Sequence, residues 1–69
     1  MNLVEHHIKE VHSVKDVSDE FEQNVGYPPY EPLIEVDLTY DCYGRIARIP
    51  KQFYKSDWEK SVERGYFMA

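Results

Sequence analysis

Alternating apolar and polar side chains mark the middle of the chain as a β-strand. From Leu33 to Tyr40, apolar residues occupy every second position, and acidic residues or threonine lie between them. A period of two is typical of a strand with one face in the core and the other in water. The next four residues, Asp41-Cys42-Tyr43-Gly44, suit a turn that ends on glycine. Residues 45–49 then return as the partner strand.

The same pattern predicts how the two strands pair. A four-residue turn sets Tyr40 opposite Arg45. In that register the apolar residues face one another on one side of the hairpin, and Asp37 lies opposite Arg48 on the other side. We expect the second strand to end at Pro50, because proline cannot continue a central strand.

A helix near the C-terminus is marked at both ends. Residues 56–59 read Ser-Asp-Trp-Glu, which is a capping box with serine at the N-cap and glutamate three residues later. Gly65 suits the left-handed position that follows a helix. The prediction is a helix over 57–64 that packs on the hairpin through Trp58 and Val62.

The first third of the chain gives two signals that disagree. Its apolar residues recur at steps of three and four, which is helical spacing, at Val4, Ile8, Val11, Val14, Val17, Phe21 and Val25. The β-branched valines and isoleucine favour a strand instead. We predict a strand over 3–12 and a short helix over 14–24, with Ser13 as its N-cap and Gly26 as its stop. The alternative is one long helix over 3–24.

The elements combine into a small α+β domain that spans residues 1–69. Residues 25–32 contain three prolines and form a stiff, extended linker inside that domain. A β-hairpin over 33–49 is the centre of the fold, the N-terminal segment adds a third strand, and the helix over 57–64 packs across one face.

Length and charge narrow the range of functions. The chain has 69 residues and a net charge of −5. A chain this short forms one domain and has too little material for a deep enclosed pocket. Because DNA and RNA attract basic surfaces, the acidic balance disfavours general nucleic-acid binding.

Cysteine content and hydropathy bear on the compartment. Cys42 is the single cysteine, so the chain has no internal disulfide, which suits a reducing environment. No segment approaches the roughly 20 apolar residues that cross a bilayer. The N-terminus also lacks the apolar stretch of a signal peptide. We therefore expect a cytoplasmic protein.

The chain contains histidines and a cysteine, but their positions in the sequence do not match those of a metal site or a catalytic thiol. The three histidines, His6, His7 and His12, do not have the spacing of a zinc motif. Cys42 has no base beside it in the sequence to lower the pKa of its thiol. We expect no metal, no cofactor and no enzymatic activity.

Aromatic residues are the strongest functional signal. Ten of the 69 residues are aromatic, six of them tyrosine, and so small a domain cannot bury them all. Tyrosine and phenylalanine are enriched at the centres of protein interfaces. We predict a non-enzymatic protein-binding modulator that uses Tyr27, Tyr30, Tyr43, Tyr66 and Phe67, with Asp19, Glu20 and Glu22 as a charged rim.

Two other functions fit the same chain. The second half is basic by comparison with the first, which suits a nucleic-acid-associated regulator that uses Arg45, Arg48, Lys51, Lys55 and Tyr54. Alternatively the protein is a structural homodimer held together by its C-terminal tail, Tyr66–Ala69.

In size, acidity and aromatic content, the chain resembles the short acidic accessory proteins that bacteriophages and prophages encode. Some of those proteins inhibit host or defence enzymes. The resemblance covers the whole chain and implies an inhibitor of a host protein, and no functional residue is transferred from it.

Overall fold

Four antiparallel strands form one curled sheet in the computed structural model, which describes residues 3–69. The strand order across the sheet is β3-β2-β1-β4, so the predicted α+β class is confirmed. Neither helix in residues 3–69 is long and apolar enough to cross a membrane. The elements are β1 (Glu5–Asp16), α1 (Ser18–Val25), β2 (Leu33–Cys42), β3 (Arg45–Tyr54), α2 (Lys55–Arg64) and β4 (Tyr66–Met68).

The predicted hairpin is present, but its register differs by two residues. Tyr40 faces Ala47, and the predicted partner of Tyr40, Arg45, instead faces Cys42. The turn has two central residues, Tyr43 and Gly44, whose φ angles are 52° and 87°. Two consecutive positive φ angles define a type I′ turn, whose twist matches that of the flanking strands.

The strand β3 continues past Pro50 to Tyr54, so the prediction that it ends there is wrong. Pro50 faces Asp37. Along an antiparallel ladder, pairs that exchange backbone hydrogen bonds alternate with pairs that do not. Counted from the pair that closes the turn, Pro50 and Asp37 form a pair without backbone hydrogen bonds. Because the Pro50 nitrogen points away from β2 on an edge strand, no ladder hydrogen bond is lost.

The N-terminal segment is a longer strand than predicted, and the single-helix alternative is wrong. Pairing with β2 sets Ile8 opposite Tyr40, Val11 opposite Leu38 and Val14 opposite Val36. These partners are two residues apart in β2, whereas the β1 residues are three apart. One extra residue is inserted after Ile8 and another after Val11. Two β-bulges therefore produce the spacing that resembles a helix.

The helix α1 begins at Ser18, four residues later than predicted, and the predicted cap Ser13 lies within β1. An Asp16 carboxylate oxygen accepts the backbone N–H of Ser18 at 2.8 Å. The Ser18 hydroxyl oxygen accepts the N–H of Leu33 at 3.0 Å and ties the helix to β2. The predicted stop is confirmed, because Gly26 adopts the left-handed conformation and donates to Glu22.

The C-terminal helix is confirmed, although its predicted capping box is wrong. Ser56 lies inside α2, which begins at Lys55, and no side chain of the first turn caps it. Glu31 from the linker takes that role. One of its carboxylate oxygens accepts the Ser56 N–H at 3.0 Å and the Ser56 hydroxyl at 2.6 Å. Gly65 ends the helix in the left-handed conformation, as predicted.

The core lies on one face of the sheet, which we call the inner face and which α2 covers. Trp58 is buried there as predicted, but Val62 is exposed and Ser61 is buried in its place. The curl of the sheet brings its two edges together, so that the Phe53 ring of β3 lies 5.4 Å from the Phe67 ring of β4. The buried cluster comprises Ile34, Val36, Leu38, Phe53, Trp58 and Phe67.

The last strand, β4, has no counterpart among the predicted elements. It pairs with the start of β1, where Phe67 faces His6 and Tyr66 faces His7. Phe67 points to the inner face and is only 2% exposed. The prediction that Phe67 contacts a partner is therefore wrong, because the side chain is part of the core.

Candidate functional site

Large side chains are exposed along the linker and at the adjoining ends of α1 and β3. Tyr27 is 62% exposed and Tyr30 is 88% exposed. Val25 at the end of α1 and Tyr54 at the end of β3 are exposed as well. We call this surface the aromatic patch; it comprises Phe21, Val25, Tyr27, Tyr30 and Tyr54.

Edge-to-face contacts hold the tyrosines of the patch. The Tyr27 ring lies 6.1 Å from the ring of Phe21, and the Tyr30 ring lies 6.1 Å from that of Tyr54. The prolines between them fix the φ angles of the linker. Each exposed tyrosine of the linker therefore packs against a second aromatic ring within the chain itself.

The helix α1 gives the patch an acidic border. None of its residues is buried, and Asp19, Glu20 and Glu22 are all exposed. Glu20 accepts a hydrogen bond from the Lys15 ammonium at 2.9 Å, which raises the pKa of Lys15. Within residues 3–69, Asp19 and Glu22 form no ion pair. The predicted charged rim therefore lies beside two of the predicted tyrosines.

The other predicted contact residues lie elsewhere. Tyr43 is 80% exposed at the hairpin turn. That turn is at the opposite end of β2, a strand of ten residues that spans roughly 30 Å. Tyr66 is half-buried between the His7 ring at 5.6 Å and the Arg64 guanidinium at 4.9 Å. The five predicted aromatic residues thus do not form one surface.

Three members of the patch, Phe21, Val25 and Tyr54, were not among the predicted protein-contact residues. Phe21 and Val25 belong to the apolar residues at helical spacing in the first third of the chain, and Tyr54 lies beyond the predicted end of the hairpin. Tyr54 lies beside the linker because it pairs with Leu33, the first residue of β2. The hydrogen bond from the Lys55 N–H to the Pro32 carbonyl holds the same two segments together. Extending the alternating pattern past Pro50 would have placed Tyr54 beside the linker.

The residues proposed for nucleic-acid binding are dispersed. Arg45 and Tyr54 lie at the two ends of β3. Arg48 donates two hydrogen bonds to the carboxylate of Asp37, at 3.0 and 2.8 Å, which lowers the pKa of Asp37. The prediction that Asp37 lies opposite Arg48 is wrong, because Arg48 faces Thr39 and Asp37 faces Pro50, but the two side chains make contact diagonally. The Lys51 ammonium lies over the core rings of Phe53 and Phe67, at 5.5 and 5.7 Å.

The possible metal ligands and the thiol are also separated. His6 stacks on Phe67 at the inner face, whereas His12 hydrogen bonds to the Thr39 hydroxyl at 2.8 Å on the other face of the sheet. Within residues 3–69, no three His, Cys, Asp or Glu side chains are grouped as metal ligands. Cys42 is a half-buried free thiol at the end of β2.

The chain also has an open groove of about 670 Å³ beside α2. Lys51, Lys60 and Arg64 contribute cations to its wall, and Phe53 and Phe67 form part of its floor. Both rings are nearly covered, so they offer little surface on which a base or another ring could stack.

Comparison with protein-family models, with curated proteins and with solved structures gave no match for this chain.

Proposed function

We propose that this protein is a non-enzymatic modulator that binds another protein through the aromatic patch. The observation that supports this most directly is the exposure of Tyr27 and Tyr30 beside an acidic helix that buries none of its own residues. Exposed aromatic side chains flanked by polar residues are typical of protein interfaces.

The helix α1 supports the proposal because it contributes no buried residue to the core. An isolated helix of eight residues is marginal in water, and helices in proteins are stabilised mainly by burying an apolar face. In this helix no residue is fully buried, and the bonds of Ser18 to Asp16 and Leu33 anchor its first turn. A segment anchored in this way but not buried is suited to presenting side chains to a partner.

The chemistry of the patch defines the class of partner. Tyrosine rings and Val25 call for an apolar hollow, and the free carboxylates of Asp19 and Glu22 favour a basic border around it. The partner in our proposal is therefore a protein with a basic, concave surface. In the setting that the resemblance to phage accessory proteins implies, that partner is a host or defence enzyme and the effect is inhibition.

The test is affinity capture from a lysate of the cell that makes the protein, at physiological salt and with and without nuclease. We expect one stoichiometric protein that survives nuclease treatment. The Tyr27→Ser/Tyr30→Ser double variant should lose it, because the exposed rings are removed while the core is unchanged. The matched control is Tyr43→Asn, which removes an equally exposed tyrosine at the far end of the sheet.

Three outcomes would contradict the proposal. Equal capture by the double variant would place the contact elsewhere. Equal loss in the Tyr43→Asn control would show that the effect is not specific to the patch. Recovery of nuclease-sensitive material alone, with binding that falls steeply as salt rises, would favour the nucleic-acid function instead.

A further inference from the structure

One edge of the sheet is left open along most of β1. The short strand β4 pairs only with Glu5, His6 and His7, and the Ile8 N–H donates to the Gly65 carbonyl just beyond it. No strand in residues 3–69 pairs with the outer side of residues 9–16. Val11 is 42% exposed and Val14 is 53% exposed on this edge.

The backbone groups of both valines point outward. Cys42 and Arg45 close the type I′ turn as a hydrogen-bonded pair. Bonded and non-bonded pairs alternate from there, so the even-numbered residues of β2 bond to β3 and the odd-numbered residues direct their backbone groups to β1. The hydrogen bond from the Val17 N–H to the Leu33 carbonyl fits this assignment. Val11 faces Leu38 and Val14 faces Val36, which are even-numbered. The N–H and C=O groups of the two valines are therefore free for another strand.

We propose that this edge pairs with the same edge of a second copy, around a two-fold axis between His12 and Ser13. Antiparallel pairing about that axis sets Val11 against the second copy's Val14 and Glu10 against its Lys15. Lys15 of each copy then faces Glu10 of the other, so the edge carries complementary charges at two equivalent positions.

The side-chain directions follow the same symmetry. Val11 and Val14 share the inner face, because both oppose buried residues of β2. Glu10 and Lys15 oppose Thr39 and Glu35, so both lie on the other face. In the proposed dimer, Val11 lies opposite the second copy's Val14, so both side chains must be on the same face and both backbones must point outward. In a regular strand, residues three apart have opposite side-chain and backbone directions. The extra residue at His12 gives Val11 and Val14 the same directions.

The other edge of the sheet does not allow self-pairing in this way. The strand β3 contains Arg45, Arg48 and Lys51 and no acidic residue, so two copies side by side would oppose like charges. Pro50 also lacks the N–H that an added strand would need. The charges and the proline protect β3, whereas the charges on β1 permit a partner of the same sequence.

The first test is the solution mass of the intact chain over a wide range of concentrations. We expect it to rise from 8.2 kDa towards twice that value. Hydrogen exchange provides a residue-specific measurement on the unmodified protein. Protection of the Val11 and Val14 amides should increase with concentration, whereas the amides of Ser13 and Lys15, which already face β2, should not change.

Two variants separate the proposed edge from other surfaces. Val14→Pro removes an N–H that points away from β2, so the monomer should fold while dimerisation is lost. Glu10→Lys places two lysines together at each of the two equivalent sites and should weaken the dimer roughly tenfold or more. The control Glu63→Lys makes the same charge change on the exposed side of α2 and should have no effect.

The proposal does not rest on the aromatic patch, and the results distinguish the two. A mass that stays at 8.2 kDa throughout, or concentration-independent exchange at Val11 and Val14, would overturn the dimer without affecting the patch. A dimer that survives Val14→Pro would show that another surface holds it. Should Val14→Pro fail to fold, the exchange measurement on the unmodified chain still decides.

Discussion

Replacing Phe67 with alanine tests whether this residue belongs to the core or to a binding surface. From the sequence we expected Phe67 at an interface, whereas the structure buries it. Its ring stacks on His6 at 5.2 Å and meets the rings of Phe53 at 5.4 Å and Tyr40 at 6.1 Å. Removing the ring leaves a cavity between the two edges of the curled sheet.

The expected loss is large compared with the stability of so small a domain. Phenylalanine-to-alanine changes in a packed core lower the free energy of unfolding by about 3–5 kcal/mol. A single hydrophobic core in a chain of this length rarely provides more than about 3–5 kcal/mol in total. We therefore expect Phe67→Ala to be largely unfolded at 25 °C. Removing the tail Tyr66–Ala69 should do the same, so its truncation is not a clean test of dimerisation.

Urea denaturation followed by tryptophan fluorescence measures the effect. Trp58 is the only tryptophan, and it is buried 5.1 Å from the Phe53 ring, so its emission reports on the core. With a slope of about 1 kcal/mol per molar urea, the midpoint should fall by about 3 M or more.

The neighbouring Met68→Ala is the control, because that side chain is exposed. We expect it to change stability by less than about 1 kcal/mol. The core assignment would be refuted by a Phe67→Ala variant whose free energy of unfolding is within 1 kcal/mol of the parent's but which no longer binds the partner. That result would restore Phe67 to the binding surface.

Three further changes test local features of the fold. Tyr43→Asn should raise stability by up to about 1 kcal/mol, seen as a higher melting temperature, because asparagine tolerates the positive φ of a type I′ turn; an unchanged or lower value would contradict that turn. Gly65→Ala should lower stability by about 1–2 kcal/mol through backbone strain alone, since an added Cβ would meet no atom within 4 Å, and an unchanged urea midpoint would count against the left-handed cap. Glu31→Gln should reduce the loss of stability in acid. The hydrogen bonds from Ser56 lower the pKa of Glu31 in the folded protein below its ordinary value of 4.5. The stability that the Glu31 carboxylate contributes is therefore complete above pH 4.5 and is lost as the pH falls through the pKa of the folded state. Identical pH profiles for Glu31→Gln and the parent would show that Glu31 does not cap α2.

The hairpin could be predicted because alternation specifies which residues share a face, but its register could not. A shift of two residues moves every pair along the strand and leaves each side chain on the same face. The apolar pattern therefore fits Tyr40 opposite Arg45 as well as it fits Tyr40 opposite Ala47. The choice depends on the turn, and Tyr43 is not a residue that ordinarily signals a type I′ turn.

The N-terminal strand shows how a bulge can hide a period of two. Ile8, Val11 and Val14 are spaced as on a helix, yet each faces a β2 residue two positions from the next. Nothing in the segment marks Lys9 and His12 as the extra residues. Their position becomes visible only when β2 is in place.

The candidate site was predicted in part, for a related reason. The sequence shows that ten aromatic residues are too many for the core, but it does not show which ones remain outside. At the C-terminus the distinction depends on β4, where adjacent residues point to opposite faces. Tyr66 is half-buried and Phe67 is in the core, and this strand forms only against the start of β1.

The two proposed surfaces occupy different parts of the molecule, so they can operate together. The open edge comprises residues 9–16 of β1, whereas the patch is formed by side chains of α1, the linker and the end of β3. Antiparallel pairing of two β1 strands sends their C-terminal ends, and the α1 helices that follow, in opposite directions. The dimer would carry two patches facing apart, and a target with repeated subunits would engage both. Val14→Pro should then weaken capture by a densely immobilised target through lost avidity and leave the affinity of each chain in solution unchanged, whereas Tyr30→Ser should weaken both.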